Sequence, residues 1–129
     1  MWPVAARASI QRVSRSVLIV DDHAEFRRSA RAMLEAQGFE VVGEAIDGAS
    51  ALIGAARLHP RLVLLDVQLP DLDGFEVAAR LADSSDPPAV ILTSTRAASS
   101  YRRRLATSPV LGFIAKAELS GEALAALGA

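Results

Sequence analysis

Residues 62–74 read Leu62-Val63-Leu64-Leu65-Asp66-Val67-Gln68-Leu69-Pro70-Asp71-Leu72-Asp73-Gly74. An apolar run of strand length stops at a carboxylate, passes through turn residues and reaches a helix start. Asp73 can cap a helix carrying Phe75, Ala78, Leu81 and Ala82 on one face. A run that is apolar at every position, instead of alternating, suits a strand buried on both faces, as parallel sheets require. Four more such runs lie along the chain: Val17–Val20, Val41–Gly43, Val90–Leu92 and Val110–Ile114.

A helical pattern follows each run. Phe26, Ala30, Met33 and Leu34 recur at helical spacing after the first, with Gly38 as a C-terminal stop. Ala49, Leu52, Ile53 and Ala56 form the stripe after the second, closed by Pro60. The turn-rich segment 84–88 ends the third helix. The fourth, around 98–106, has a thin stripe of Ala98, Tyr101 and Leu105, and the last, 120–127, presents Ala123, Leu124 and Leu127. Five βα units impose right-handed crossovers and a parallel sheet covered on both faces. A closed barrel needs about eight units. The expected fold is therefore α/β, a three-layer doubly wound (βα)5 sheet in flavodoxin-like strand order 2-1-3-4-5.

That order makes the first and third strands neighbours at the switch point, where ligands bind beyond the carboxyl ends of the strands. Asp21 and Asp22 follow the first strand, Asp66 the third, Ser94 ends the fourth, and Lys116 lies just past the fifth. Singly, each has a plain reading: the acids and Ser94 as caps or turn residues, Lys116 as a solvated charge. Independent caps have no reason to choose one sheet edge, so together they point to a site. Clustered carboxylates repel one another and need a counter-charge, which hard Mg²⁺ supplies through oxygen ligands and Lys116 supplies from the opposite side.

Composition narrows the function. The 129 residues are enough for one domain; 51% are hydrophobic and 22% charged, as in folded globular chains. Fourteen basic against fifteen acidic residues leave a formal net charge of -1, so no overall basic field exists for nucleic acid. Absence of cysteine removes disulfides, thiolate metal sites and a cysteine nucleophile, and is compatible with a cytoplasmic location. No apolar run approaches the ~20 residues of a membrane span. Residues 1–16 carry Arg7, Arg12 and Arg15 without an acid and read as a disordered N-terminal extension ahead of a domain over 17–127.

The blocks Val17-Leu18-Ile19-Val20-Asp21-Asp22-His23, Leu64-Leu65-Asp66 with Leu69-Pro70-Asp71-Leu72-Asp73-Gly74, Leu92-Thr93-Ser94, and Gly112-Phe113-Ile114-Ala115-Lys116 resemble the signature blocks of receiver domains from two-component response regulators. The resemblance spans about 16–127 and has four blocks in order. It implies that Asp66 is a phosphoacceptor for a sensor histidine kinase or phosphotransfer protein, and that the domain catalyses its own phosphorylation and slow dephosphorylation. It also implies Mg²⁺ held by Asp22, Asp66 and the Gln68 backbone carbonyl, with Asp21 acting mainly through coordinated water. Ser94 would bond a phosphoryl oxygen, Lys116 another, and Phe113 would turn inward as the switch aromatic. Thr93 is the alternative to Ser94, which stands 22 residues before Lys116, the spacing usual in the family. The helix with Arg102, Arg103 and Arg104, the fifth strand and the last helix would form an output face for a homodimer or an effector, although three successive arginines also suit a solvated helix face.

Two departures stand out: Phe113 lacks the hydroxyl of a tyrosine, and Ala117 follows Lys116 where many relatives have proline. His23 reads as part of a helix start. Two other classes compete. An aspartyl phosphatase-like hydrolase usually carries a second acid two residues past its nucleophile, where this chain has Gln68. A non-catalytic binding module, such as a flavin binder, would need a Gly-rich loop after the first strand, where Asp21-Asp22-His23 stands. With no output domain after Ala129, the expectation is a stand-alone receiver or one cut from a longer regulator.

Overall fold

The computed structural model describes residues 15–129. Residues 1–14, and with them most of the expected N-terminal extension, lie outside the described residues. Within that range the elements alternate: β1 (Ser16–Val20), α1 (Ala24–Ala36), β2 (Glu40–Ala45), α2 (Gly48–Leu58), β3 (Leu62–Asp66), α3 (Gly74–Ala82), β4 (Ala89–Ser94), α4 (Arg102–Thr107), β5 (Gly112–Ala115) and α5 (Gly121–Ala126). All five strands are parallel and lie in the order β2-β1-β3-β4-β5, as expected. The three central strands read as apolar because both faces are covered: every residue of β1 and β3 is buried, and all of β4 after Ala89.

Two cores result. One, beneath α2, α3 and α4, is built on Leu18, Val20, Val63, Leu65, Val90 and Leu92 together with Phe75, Val77 and Tyr101. The other, beneath α1 and α5, takes the alternate strand positions Val17, Ile19, Leu62, Leu64 and Ile91 with Leu34 and Leu124. This is the period-two alternation of strand side chains carried across a whole sheet.

Local chemistry sets the element ends. Asp73 caps α3 through the Phe75 N–H at 2.7 Å, as expected. Gly38 takes φ 89 after α1, a conformation open to glycine at little cost. The stripe of α2 differs from expectation. Asp47 caps the helix by a reciprocal bond with Ser50, so Gly48, Ala51, Leu52 and Ala55 face inward while Ala49, Ile53 and Ala56 are exposed. The fourth expected helix is also remade: its first turn, Ala98–Tyr101, is 3₁₀, and only Arg102–Thr107 is α-helical. β5 opens at Gly112 instead of Val110, although the Leu111 N–H already donates to the Val90 carbonyl on the approach to the strand. β1 starts at Ser16; the neighbouring Arg15 donates to the carbonyls of Gln37 and Gly38. The Lys116–Ala117 peptide bond is trans.

Candidate functional site

The carboxyl ends of β1, β3 and β5 meet at one crevice. Asp21 is wholly enclosed and Asp66 is 3% exposed, while Asp22 stands at the rim. Lys116 reaches in from the residue after β5, its Nζ 2.6 Å from Asp21 Oδ2 and 3.3 Å from Asp66 Oδ2, with the Phe26 ring 4.5 Å away on its flank. One ammonium thus joins acids separated by 45 residues of sequence. Burial of these charges is costly, and their mutual pairing offsets the cost.

Each carboxylate has a second partner. Asp21 Oδ1 accepts the His23 N–H at 2.8 Å and lies 3.0 Å from His23 Nδ1, which is also 3.1 Å from Asp22. Asp66 Oδ1 accepts the Gln68 N–H at 3.1 Å. Burial lifts the Asp66 carboxyl above the ordinary carboxylate range; the Gln68 N–H opposes this, the Asp21 charge adds to it, and Lys116 opposes it again. For Lys116, burial pulls downward, but the bond to Asp21 and the charges of both acids outweigh it and leave the ammonium above its usual range.

The loop after Asp66 is held by glycine and by a remote cap. A Cβ at Gly74 would collide with the Asp66 carbonyl oxygen and stand 2.7 Å from Val67 Cα, so no other residue lets α3 start this close to β3. Asp71 accepts the N–H groups of Gly48 at 2.7 Å and Ala49 at 2.9 Å, tying the loop to the start of α2. Those bonds hold the exposed Asp71 carboxyl below its usual range.

Ser94 and Phe113 occupy the other side of the sheet edge. Ser94 is fully buried, and its hydroxyl is engaged by Tyr101 and by the Arg96 N–H. Thr93, its alternative, pairs with Asp66 in the strand register and keeps a buried hydroxyl without a partner among the described residues. Phe113 is half-buried, its ring 5.8 Å from that of Tyr101. Arg102, Arg103 and Arg104 are exposed; Arg104 also bonds Asp73 at 2.7 Å and lies over the Phe75 ring at 4.1 Å.

Of three further residues at or beside the site, sequence reasoning read His23 as part of a helix start and Tyr101 as an apolar stripe position, and gave Thr95 no role. Thr95 lines the mouth of the cleft beside Asp22, Asp66 and Lys116. His23 bridges the acid pair, at the helix start expected of it, and makes no side-chain cap bond. Tyr101 bonds Ser94. Of these, only His23 carried a sequence signal, its place directly after two acids.

A divalent cation suits this donor set: ligand atoms of Asp21, Asp22, His23 and Asp66 all lie within 4.8 Å of one another. Lys116 balances only part of the charge of three carboxylates, and the rest calls for a hard cation with oxygen ligands. No helix among the described residues is long and apolar enough to cross a membrane.

The chain and its fold have counterparts among known proteins. The family model described as "Response regulator receiver domain" matches residues 17–127. BvgA of Bordetella pertussis, a virulence-factor transcription regulator, is 41% identical over 102 residues, covering 79% of this chain and 49% of BvgA. The transcriptional regulatory protein PdtaR of Mycobacterium tuberculosis is 43% identical over 83 residues, 64% of this chain and 40% of PdtaR. The chain spans about half the length or less of these relatives. Among solved structures, the signal receiver domain of NarL from Mycobacterium tuberculosis superposes with TM-score 0.76 at 31% identity, covering 88% of this chain and 95% of that one. The response regulator domain of Thermotoga maritima CheB does so with TM-score 0.77 at 26% identity, covering 88% and 92%.

Proposed function

This chain belongs to the response regulator receiver domain family of two-component signalling, and from that membership we propose that Asp66 accepts a phosphoryl group from a histidine kinase or phosphotransfer protein. It is a signalling domain rather than an enzyme of substrate turnover. The observation that carries the reading is the approach of Lys116 Nζ to both Asp21 and Asp66 at 2.6 and 3.3 Å, beside the rim acid Asp22.

In the transfer, the P–N bond of a phosphohistidine breaks, an Asp66 oxygen bonds phosphorus, and the departing imidazole retains the electron pair. The chain's own part is placement and charge balance. Gln68 fixes Asp66 by its N–H, and Lys116 holds the other carboxylate oxygen, ready to pair with a phosphoryl oxygen once the acyl phosphate forms. Asp22, Asp66 and the Gln68 carbonyl would hold Mg²⁺, while Asp21, already engaged by His23 and Lys116, acts at one remove. Bound Mg²⁺ supplies positive charge to the oxygens of the transferring group. Ser94 then donates its hydroxyl to a phosphoryl oxygen, and Phe113 follows into the space it leaves. The surface of α4, β5 and α5, including Arg102 and Arg103, reads out the change by contact with a second copy or an effector.

Incubation with Mg²⁺ and acetyl phosphate tests this reading. One phosphoryl adduct by intact mass is expected, lost on Asp66→Asn or on chelation of the metal. Sustained release of phosphate from phosphate esters would point to the hydrolase class instead. Ser94→Ala compared with Thr93→Val decides which hydroxyl serves: the first should shorten the life of the adduct, the second leave it nearly unchanged.

A further inference from the structure

The hydroxyl assigned to the phosphoryl group is committed elsewhere at rest. Ser94 Oγ lies 2.9 Å from the Tyr101 hydroxyl and accepts the Arg96 N–H at 3.0 Å, in a wholly buried setting. With the Arg96 N–H on one lone pair, Ser94 keeps one proton and one lone pair, and the latch is the arrangement in which that single proton is donated to the Tyr101 oxygen and so withheld from any other acceptor. Tyr101 is itself only 8% exposed and closes the 3₁₀ turn ahead of α4. Its ring is wedged between Phe75 and Phe113, each 5.8 Å away by centroid.

We propose that Tyr101 is a positioning residue of the phosphorylation switch, whose hydroxyl latches Ser94 in its resting orientation and must let go before Ser94 can reach phosphorylated Asp66. The inference rests on the phosphoacceptor reading of Asp66 given above. It also resolves the missing hydroxyl of Phe113: the polar group comes from Tyr101, across the ring contact on the neighbouring turn. Release of the latch has a mechanical outlet, because Tyr101 immediately precedes Arg102, the first residue of α4. Arg104, one turn on, clamps Asp73 and covers Phe75, so α4 is tied to the loop that leaves Asp66. The phosphoryl group would thus win Ser94 from Tyr101, a charge-assisted bond replacing a neutral one.

Tyr101 is the sole tyrosine of the chain. Fluorotyrosine incorporation therefore places a single fluorine NMR reporter on the latch. With Mg²⁺ and acetyl phosphate, the resonance is expected to shift in proportion to the adduct seen by mass, and to stay fixed in Asp66→Asn. Tyr101→Phe keeps the ring but removes the latch, and should lengthen the life of the adduct by roughly 2- to 10-fold, the range set by one net hydrogen bond. In a Ser94→Ala background the same change should have no further effect. An adduct that forms while the resonance stays put, or a Tyr101→Phe adduct whose life is unchanged or shorter, overturns the latch and spares the phosphoacceptor reading. No adduct on the wild-type chain overturns that reading and the latch with it.

Discussion

Strands β1, β2 and β3 are followed by α-helices of 13, 11 and 9 residues, whereas β4 and β5 are followed by α-helices of 6 residues, each introduced by a 3₁₀ turn. The burial differs in the same sense. α3 buries Phe75, Val77, Ala78 and Leu81 besides its first glycine, while α4 buries no residue and α5 only Leu124. The site straddles the boundary: all three acids come from the well-backed half, and the hydroxyl and ammonium come from the thinly backed half. Groups that must stay fixed sit on the part that is expensive to move. Groups that must move sit where few apolar contacts resist them.

The largest effect should follow from breaking the fixed half. Leu64→Ala, at a fully buried position of the central strand, should cost about 2–5 kcal/mol in denaturant unfolding. Leu105→Ala, half-buried on α4, should cost roughly 1 kcal/mol, and its backbone amides should exchange with solvent faster than those of α3. Equal losses at the two positions would erase the contrast.

The next effect concerns the ammonium that spans the boundary. Lys116→Met leaves Asp21 and Asp66 buried together without a counter-charge, and should lower metal-free stability by about 3 kcal/mol. Added Mg²⁺ should recover part of that loss, measured as a rise in melting temperature. A variant as stable as the wild type without metal would show that the pairing carries no weight.

Acid titration sharpens the same point on the fixed side. The Asp66 carboxyl is raised, so its ionised form is a burden on the folded state at neutral pH. In the absence of divalent metal, Asp66→Asn should therefore be more stable than the wild type at neutral pH. The gap should close as pH falls through the raised value toward the ordinary aspartate range. By the same sign, Mg²⁺ competes with the Asp66 proton, and its affinity should begin to weaken at a higher pH than for an ordinary carboxylate. A gap that widened on acidification would contradict the assignment.

The smallest effect lies on the outer strand. Glu44 is buried enough to be pushed upward, yet its bonds to Arg31 and Arg27, both 2.9 Å, outweigh this and lower its value. Its stabilisation is present above the ordinary glutamate range and is lost as pH falls through the lowered value. Glu44→Gln should cost less than about 1 kcal/mol at neutral pH, since the ion pair is partly exposed, and nothing once the wild-type carboxylate is protonated.

The parts of this comparison were not equally legible in the sequence. Strand order and the edge acids were, because continuous apolar runs ending in Asp21, Asp22 and Asp66 leave few ways to fold. Helix faces were less so. In α2, the apolar letters Ala49, Leu52, Ile53 and Ala56 look like a stripe, but of these only Leu52 turns inward, beside Ala51 and Ala55, in a helix capped by Asp47 and Ser50. The link from Asp71 to the start of α2 crosses 22 residues and more, and no local pattern announces it. Tyr101 was readable only as a weak apolar position. Its hydrogen bond to Ser94 depends on a 3₁₀ turn in place of the first turn of α4, a choice set by tertiary packing against Phe75 and Phe113.

The chemical identity of the modified residue bears most directly on the whole account. After exposure to Mg²⁺ and acetyl phosphate, hydride reduction of the acyl phosphate and peptide mass spectrometry should find homoserine at position 66 and nowhere else. Reduction product at position 21 or 22, a phosphate ester on Ser94 or Thr95, or a folded chain that takes no label would contradict it.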